Sequence, residues 1–132
     1  MAVTPYLSFD GRADEAIEFY KKALGATVGM LMRFKDAPQG MCSPGSDDKV
    51  MHASLSINGA TVMLSDGYNK GHPEFKGVSL SLDAKDEAQA EKMFAALSEG
   101  GQIGMPMDKT FFAKKFGMVT DKFGVAWMVI AE

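Results

Sequence analysis

This sequence of 132 residues has a single cysteine, no long apolar run and no excess of basic residues. The one cysteine, Cys42, has no partner within the chain, which excludes an internal disulfide. No run of about 18 apolar residues occurs, so we expect no membrane-spanning helix and no membrane partner. Lysine and arginine total 14 against 17 acidic residues, a net charge of −3. Since nucleic-acid-binding surfaces are usually basic, we do not expect nucleic acid as a partner either.

The remaining composition is that of an ordinary globular protein. Hydrophobic residues make up 46% of the chain and charged residues 23%. This length fits one compact domain whose core needs neither a disulfide nor a structural metal. The segment from Met1 to Pro5 lacks the charged and apolar regions of a secretory signal peptide. We therefore expect a cytoplasmic protein.

An internal repeat is the most informative feature of the sequence. The segment Leu7–Asp10 (LSFD) returns as Leu80–Asp83 (LSLD), and Asn58–Leu64 (NGATVML) resembles Phe123–Val129 (FGVAWMV). Between these echoes, each copy also contains an Asp-Glu-Ala sequence, an Ala-Leu pair and a Gly-Met pair. Self-similarity of this kind indicates two copies of one structural unit. We place module one at residues 1–66, a linker at 67–76 and module two at 77–132.

Hydrophobic periodicity predicts the order βαβββ in each module, and therefore an α+β fold. Asp10 is a candidate cap for the first helix, and Gly25 lies where a helix stop belongs. The Pro-, Gly- and Ser-rich segment 35–48 predicts a long loop whose role, like that of Cys42, is left open. The predicted helices are Ala13–Leu24 and Glu87–Ser98, and the predicted strands are Val3–Phe9, Ala26–Phe34, Met51–Ile57, Ala60–Ser65, Val78–Leu82, Ile103–Met107, Phe116–Thr120 and Val125–Ile130.

One face of each predicted sheet is left without a helix to cover it. Alternation along the strands places polar and thioether side chains on this face, too polar for a core and too apolar for open solvent. Two such sheets side by side would curve around a cavity, which is a natural place for a small molecule. The candidate ligand-binding residues on this face are Tyr6, Ser8, His52, Ser54, Met63, Ser79, Ser81 and Met128.

Four segments carry a resemblance to a known family: Pro5–Gly11, Glu15–Tyr20, Met51–Ala53 and Thr110–Trp127. Together with the paired βαβββ pattern, they resemble the PhnB-like branch of the vicinal oxygen chelate superfamily over essentially the whole chain. That superfamily includes glyoxalase I, fosfomycin-resistance and bleomycin-binding proteins and extradiol dioxygenases. One departure is Phe112, where the branch usually has tryptophan. The resemblance implies curved mixed sheets around a cavity and a homodimer, and it leaves open whether elements are exchanged between the two chains.

Members of this branch often carry the name 3-demethylubiquinone-9 3-methyltransferase. A methyltransferase of the usual kind needs a cofactor-binding sheet with a glycine-rich turn directly after a strand. The glycine cluster of this chain, Gly100 and Gly101, instead follows a predicted helix. We therefore expect no such cofactor.

Metal-dependent members of the superfamily hold their ion with histidine and glutamate on the first and last strands of each module. Here those strands offer hydroxyl and thioether groups, which hold divalent ions poorly. We therefore predict no metal and no cofactor. The alternative is a divalent ion held by His52 together with Cys42 or His72, at no standard ligand spacing. The residues at the expected ligand positions are Thr4, Tyr6, Ser8, Ser79, Ser81, Met63 and Met128.

His52 is the first candidate for a general base, because imidazole exchanges protons near neutral pH. Tyr6 and Ser81 are candidates for polarising a substrate through a hydrogen bond. The favoured function is the binding of a small, partly apolar molecule without metal, with the chemistry open. Two alternatives remain, a metal-dependent glyoxalase- or dioxygenase-type enzyme and a non-catalytic sequestering protein. Since these folds host many chemistries, the sequence does not name a substrate.

Overall fold

The computed structural model describes residues 3–36, 48–66 and 74–132. Cys42, His72, most of the predicted 35–48 loop and most of the predicted linker lie outside the described residues. The chain forms two compact units, Met1–Pro73 and Glu74–Glu132. Module one lies within the first unit and module two within the second.

In the described ranges, each module has one α-helix and four strands, which confirms the predicted α+β fold. In both modules the first strand pairs in parallel with the last strand, and the other pairings are antiparallel. The sheet orders are β1-β4-β3-β2 and β5-β8-β7-β6. Module one comprises β1 (Tyr6–Ser8), α1 (Ala13–Leu24), β2 (Thr27–Arg33), a short 3-10 helix (Phe34–Asp36), β3 (Val50–Ile57) and β4 (Ala60–Ser65). Module two comprises β5 (Ser79–Asp83), α2 (Glu87–Ser98), β6 (Gln102–Asp108), β7 (Lys115–Thr120) and β8 (Ala126–Ala131).

The helix of each module covers one face of its sheet. Residues of α1 at helical spacing are buried against alternate residues of the central strands, and α2 repeats this arrangement. The apolar stripe of an amphipathic helix and one face of a sheet thus form the core of each module. In module one the core includes Phe9, Ala16, Ile17, Tyr20, Leu55 and Leu64; in module two it includes Leu82, Phe94, Leu97, Val119, Trp127 and Val129.

The predicted bounds of both helices and of β4 are confirmed, whereas the first strand is shorter than predicted. β1 has three residues, and Val3, predicted to start it, is fully exposed. Val78 likewise precedes β5 and is mostly exposed, so it is not a core residue. Val3 and Val78 both precede the first residue that pairs with a neighbouring strand. Without a neighbouring strand, the alternation of apolar and polar residues does not predict burial.

The N-terminus of α1 is satisfied by a carboxylate that is distant in sequence. The prediction that Asp10 caps this helix is wrong, because the cap residue is Arg12 and its side chain makes no capping hydrogen bond. Instead, the buried carboxylate of Asp66, directly after β4, accepts hydrogen bonds from the backbone N–H groups of Gly11 and Ala13, both at 2.8 Å. Its other oxygen accepts from the N–H of Val50 at 2.7 Å. Asp66 thus joins the helix start to the central strand of the module.

The C-terminal stop predicted for α1 is confirmed. Gly25 adopts a left-handed backbone conformation, with φ of 66°, and its N–H donates to the carbonyl of Lys21. Glycine tolerates this conformation because it has no Cβ. The turn lets the chain reverse directly into β2.

Candidate functional site

The open face of module one is uncharged and partly exposed. Its strand residues are hydroxyl, thioether and aromatic side chains together with one histidine, and none in the described strands is Asp, Glu, Lys or Arg. Tyr6 is 50% exposed, and the side chains around it are half-buried or exposed. A surface of this kind offers hydrogen bonds and apolar contact without a strong electric field. Its members include Tyr6, Ser8, Thr27, Met30, Met32, His52, Ser54, Ser56, Thr61, Met63 and the buried Ser65.

The structure brings together the two candidate catalytic residues, Tyr6 and His52. The phenol oxygen of Tyr6 lies 2.9 Å from Nδ1 of His52, within hydrogen-bond distance. Their ring centroids are 5.5 Å apart with an interplanar angle of 33°. Met63 of β4 pairs with Tyr6 on one side and Ser54 on the other, so the Tyr6 side chain reaches across β4 to contact β3. Strand parity predicted a shared face for the two residues, but it did not predict this contact.

Nε2 of His52 has no hydrogen-bond partner within the part of the chain that the structure describes. His52 itself is half-buried, and its other neighbours on this face are uncharged. Within the described residues, Nε2 therefore has no competitor for a ligand, and the hydrogen bond to Tyr6 orients the imidazole ring.

Ser54 has a structural role beside this pair. Its hydroxyl oxygen accepts the backbone N–H of Met30 at 3.1 Å, at a point where the pairing of β2 with β3 is interrupted by a bulge. A Cβ added at Gly29 would lie 2.9 Å from this oxygen, closer than ordinary packing allows. Glycine at position 29 thus allows the serine hydroxyl to satisfy the N–H group that the bulge frees.

The remaining candidates of module one lie on the same face with weaker contacts. Ser8 is exposed and its hydroxyl lies 3.4 Å from the Asp10 carboxylate, which is a long hydrogen bond. Met63 is half-buried between Tyr6 and Ser54. Sequence reasoning missed Met30 and Met32 of β2, although their alternation along that strand was a usable signal.

In module two, Ser81 and Met128 pair directly across β5 and β8, whereas Ser79 pairs with Ala126. The second strand pair also contains a bulge, between Ile103 and Met105, which matches the bulge before Met30. We aligned the two modules at these bulges and compared the residues that pair across all four strands. In module one these paired residues are Tyr6, Met63, Ser54 and Met30, and the corresponding residues in module two are Ser81, Met128, Met118 and Met105. Tyr6 therefore corresponds to Ser81, and not to Ser79 as the sequence echoes indicate.

The same correspondence places Phe116 at the position of His52. Phe116 contacts Phe112, with ring centroids 5.1 Å apart, and Phe112 contacts the fully exposed Phe111 at 5.2 Å. Module two thus replaces the hydrogen-bonded Tyr6–His52 pair with a serine and a phenylalanine that belongs to an aromatic cluster. The two open faces differ in chemistry: the first carries the hydrogen-bonded Tyr6–His52 pair, whereas the second combines the hydroxyl groups of Ser79 and Ser81 with methionine and phenylalanine side chains.

Two basic strand residues, Arg33 and Lys115, pair with acidic residues of the helices. Arg33 contacts Asp14 of α1 at 2.9 Å, and this hydrogen bond raises the pKa of the Arg33 guanidinium. Lys115 contacts Glu91 of α2 at 3.1 Å, and this hydrogen bond raises the pKa of the lysine. Both contacts join a strand to the helix of its own module.

Metal-ligating side chains do not gather on either described sheet face. No three His, Cys, Asp or Glu side chains lie close enough to hold an ion together within residues 3–36, 48–66 and 74–132. The donors at the expected ligand positions are phenol, hydroxyl and thioether groups, which do not fit a hard divalent ion. The alternative ligands Cys42 and His72 lie outside the described residues.

The glycine turn after α2 and the lengths of the two helices relate to the expectations about a cofactor and a membrane. Gly100 and Gly101 follow α2 and precede β6, so this turn leads from a helix into a strand and not from a strand into a helix. A nucleotide-type cofactor turn has the opposite order. Both described helices are also too short to cross a lipid bilayer.

Comparison with known proteins identifies relatives that match over nearly the whole chain. The sequence model of the family described as 3-demethylubiquinone-9 3-methyltransferase matches residues 1–130. Protein YjdN of Escherichia coli is 36% identical and covers 98% of this chain and 94% of its own length. The crystal structure of protein PA1353 from Pseudomonas aeruginosa is 41% identical, with a TM-score of 0.88, and covers 100% of this chain and 98% of its own. A Bacillus cereus structure described as a putative 3-demethylubiquinone-9 3-methyltransferase, PhnB protein, is 30% identical, with a TM-score of 0.82, and covers 100% of both chains.

More distant structures share the fold alone. The fosfomycin resistance protein FosX from Listeria monocytogenes has a TM-score of 0.67 at 8% identity, over 100% of this chain and 93% of its own. A glyoxalase-related enzyme from Fulvimarina pelagi has a TM-score of 0.61 at 16% identity, over 100% of this chain and 88% of its own. The chain therefore belongs to the PhnB-like 3-demethylubiquinone-9 3-methyltransferase family and has the glyoxalase, or vicinal oxygen chelate, fold.

Proposed function

We propose that this protein binds a small, partly apolar molecule against the open sheet face of module one, without a metal ion. The observation that supports this proposal is the hydrogen-bonded pair of Tyr6 and His52, partly exposed on the sheet face opposite α1. Exposed polar groups surrounded by apolar side chains are typical of ligand sites. Ser8, Ser54 and Met63 surround the pair, and Ser79, Ser81 and Met128 are the further candidates on module two.

The chemistry of the open face indicates which molecules to test. Methionine side chains adapt to irregular apolar shapes, and Met30, Met32 and Met63 flank the polar pair. The absence of charged groups among the described strand residues of this face disfavours a ligand held mainly by ion pairing. We therefore expect a compact ring or chain with one polar group.

A ligand screen observed by amide NMR tests the proposal. Binding is expected to shift resonances of Tyr6, His52 and Met63, and His52→Ala is expected to weaken affinity about tenfold or more, as for the loss of a hydrogen bond at a ligand. Ser56→Ala is the matched control, because Ser56 lies on the same face of β3 without contacting the pair. Equal affinities of the His52→Ala and Ser56→Ala variants would contradict the proposed site.

We also propose that the protein is a cytoplasmic homodimer, as the family resemblance implies. The edge strands β2 and β6 each expose apolar side chains, including Val28, Met30, Ile103 and Met105, which a second copy would cover. Native mass spectrometry of tag-free protein purified without chelator reports subunit number, metal content and any co-purified molecule together. A dimer without metal agrees with the proposal, whereas one divalent ion per chain would favour the metal-dependent alternative.

Turnover distinguishes binding from catalysis. A non-catalytic sequestering protein would hold its ligand unchanged, and His52→Ala would alter affinity alone. A ligand that is converted over many cycles would make His52 and Tyr6 candidates for catalytic residues.

A further inference from the structure

The Tyr6–His52 hydrogen bond has two possible directions, and they give the site opposite chemistry. If the phenol O–H donates to Nδ1, the proton of the neutral imidazole lies on Nε2, and the ring offers a ligand a donor. If Nδ1–H donates to the phenol oxygen, Nε2 is unprotonated and can act as a base. The hydrogen bond at one ring nitrogen thus determines which proton the other carries.

The first direction is favoured by the donor and acceptor strengths of the two groups. A phenol O–H is a stronger hydrogen-bond donor than the N–H of a neutral imidazole. An imidazole nitrogen is in turn a better acceptor than a phenol oxygen, whose lone pair is delocalised into the ring. The distance of 2.9 Å suits an O–H···N hydrogen bond, and no charged open-face strand residue of module one opposes it.

We propose that Tyr6 is a positioning residue that holds neutral His52 in its Nε2–H form, so that the site binds an uncharged acceptor oxygen such as a ketone carbonyl. The inference rests on the proposed function, because it names the ligand class for that same face. It also changes the role of both residues. His52 acts as a hydrogen-bond donor and not as a resting general base, and Tyr6 directs the imidazole instead of donating to the ligand.

Uncharged ligands are favoured over anions by the surroundings of the pair. Met32 pairs with His52 across the strands, and Ser54 lies two residues further along β3. No lysine or arginine lies on the described strands of this face, so a carboxylate would lose hydration without gaining an ion pair. A carbonyl oxygen loses less hydration and still accepts the Nε2–H hydrogen bond.

The first test is the tautomer of His52 in the ligand-free protein. The His72→Gln variant leaves one histidine, and long-range nitrogen–proton NMR correlation reports which ring nitrogen carries the proton, measured in alkaline buffer where the ring spectrum no longer changes with pH. We expect an unprotonated Nδ1 and a protonated Nε2. A protonated Nδ1 would overturn the proposal and restore His52 as a candidate base.

The second test removes the phenol oxygen with Tyr6→Phe in the same background. The ratio of the two tautomers is expected to change about fivefold, as for the loss of one net hydrogen bond, and both ring nitrogens shift toward averaged values. Ser56→Ala is expected to leave the ring spectrum unchanged. An unchanged tautomer ratio in a Tyr6→Phe protein with native amide resonances would show that Tyr6 has no positioning role.

The third test compares three aromatic probes: acetophenone, benzoate and ethylbenzene. Acetophenone is expected to shift the Nε2–H resonance and to bind at least several-fold more tightly than the other two. Tighter binding of benzoate, or equal binding of ethylbenzene, would overturn the ligand class while leaving the tautomer result intact. If no probe shifts any open-face resonance, the ligand class fails and the proposed function loses its support, whereas the tautomer measurement still decides the role of Tyr6.

Discussion

The buried carboxylate of Asp66 gives the sharpest prediction about the stability of module one. Its two oxygens accept three backbone hydrogen bonds, from Gly11, Ala13 and Val50, at 2.7–2.8 Å. In Asp66→Asn, the side chain keeps its volume but replaces one oxygen with an NH2 group. If the remaining oxygen still accepts from Gly11 and Ala13, the NH2 group faces the N–H of Val50, and two donors oppose each other.

The expected cost follows from these contacts. Hydrogen bonds to a charged group contribute about 1.5–3 kcal/mol each, against about 1 kcal/mol for neutral pairs. Losing one charged bond and weakening two others amounts to about 4 kcal/mol, a large part of the about 5–15 kcal/mol by which domains are stable. For a chain of this length, that loss lowers Tm by roughly 15 °C.

Urea denaturation followed by circular dichroism measures this loss. Asp48→Asn is the control, since the Asp48 side chain is 89% exposed and lies 3.5 Å from Lys35. Exposed pairs of this kind contribute little, so the control is expected within about 0.5 kcal/mol of the wild type. A loss below about 1 kcal/mol in Asp66→Asn would refute the reasoning, because a buried three-bond carboxylate could not then be a main support of the helix start.

Three further predictions concern stability. Gly101→Ala is expected to lower the free energy of unfolding by more than about 2 kcal/mol, because its Cβ would overlap the backbone at the end of β7. Gly104→Ala is the control, since its Cβ would meet nothing closer than 3.7 Å, and thermal denaturation compares the two variants. Ser54→Ala is expected to cost about 1–2 kcal/mol by leaving the bulge N–H of β2 without its acceptor, while Ser56→Ala costs little; urea titration checks the difference. Asp121→Asn is expected to cost about 2–3 kcal/mol and to shift the fluorescence of the only tryptophan, whose indole N–H donates to this carboxylate at 2.9 Å; an unchanged emission spectrum would contradict that contact.

The accuracy of the sequence predictions depended on how local each signal was. The bounds of both helices followed from periodicity, and the stop at Gly25 followed from the preference of glycine for a left-handed conformation. The cap of α1 could not be predicted in the same way, because Asp66 lies 53 residues from Ala13 in sequence. Asp10, near the helix start in sequence, was the natural but wrong choice.

The candidate site also depends on a contact between residues that are distant in sequence. Alternation along each strand was sufficient to place Tyr6 and His52 on one face. Their contact depends on the register of β1 against β4 and of β4 against β3, which strand alternation alone does not specify. The repeated segment in the first strand aligns Tyr6 with Ser79. The repeated segment in the last strand aligns Met63 with Met128, and strand pairing then aligns Tyr6 with Ser81, two residues further along the chain.

The alignment of Tyr6 with Ser81 indicates that the two modules do not carry equivalent sites. A repeat in which both modules retained a polar pair would suggest two equivalent sites, whereas here Ser81 and Phe116 occupy the positions of Tyr6 and His52. The hydroxyl of Ser81 is too short to reach across a strand as the Tyr6 phenol does, and Phe116 has no nitrogen to accept it. The aromatic cluster around Phe116 could supply apolar contact but no directed hydrogen bond. Among the described residues, the hydrogen-bonded pair that can direct recognition of a polar group lies on module one, and variants of Tyr6 should therefore alter ligand selectivity more than variants of Ser81.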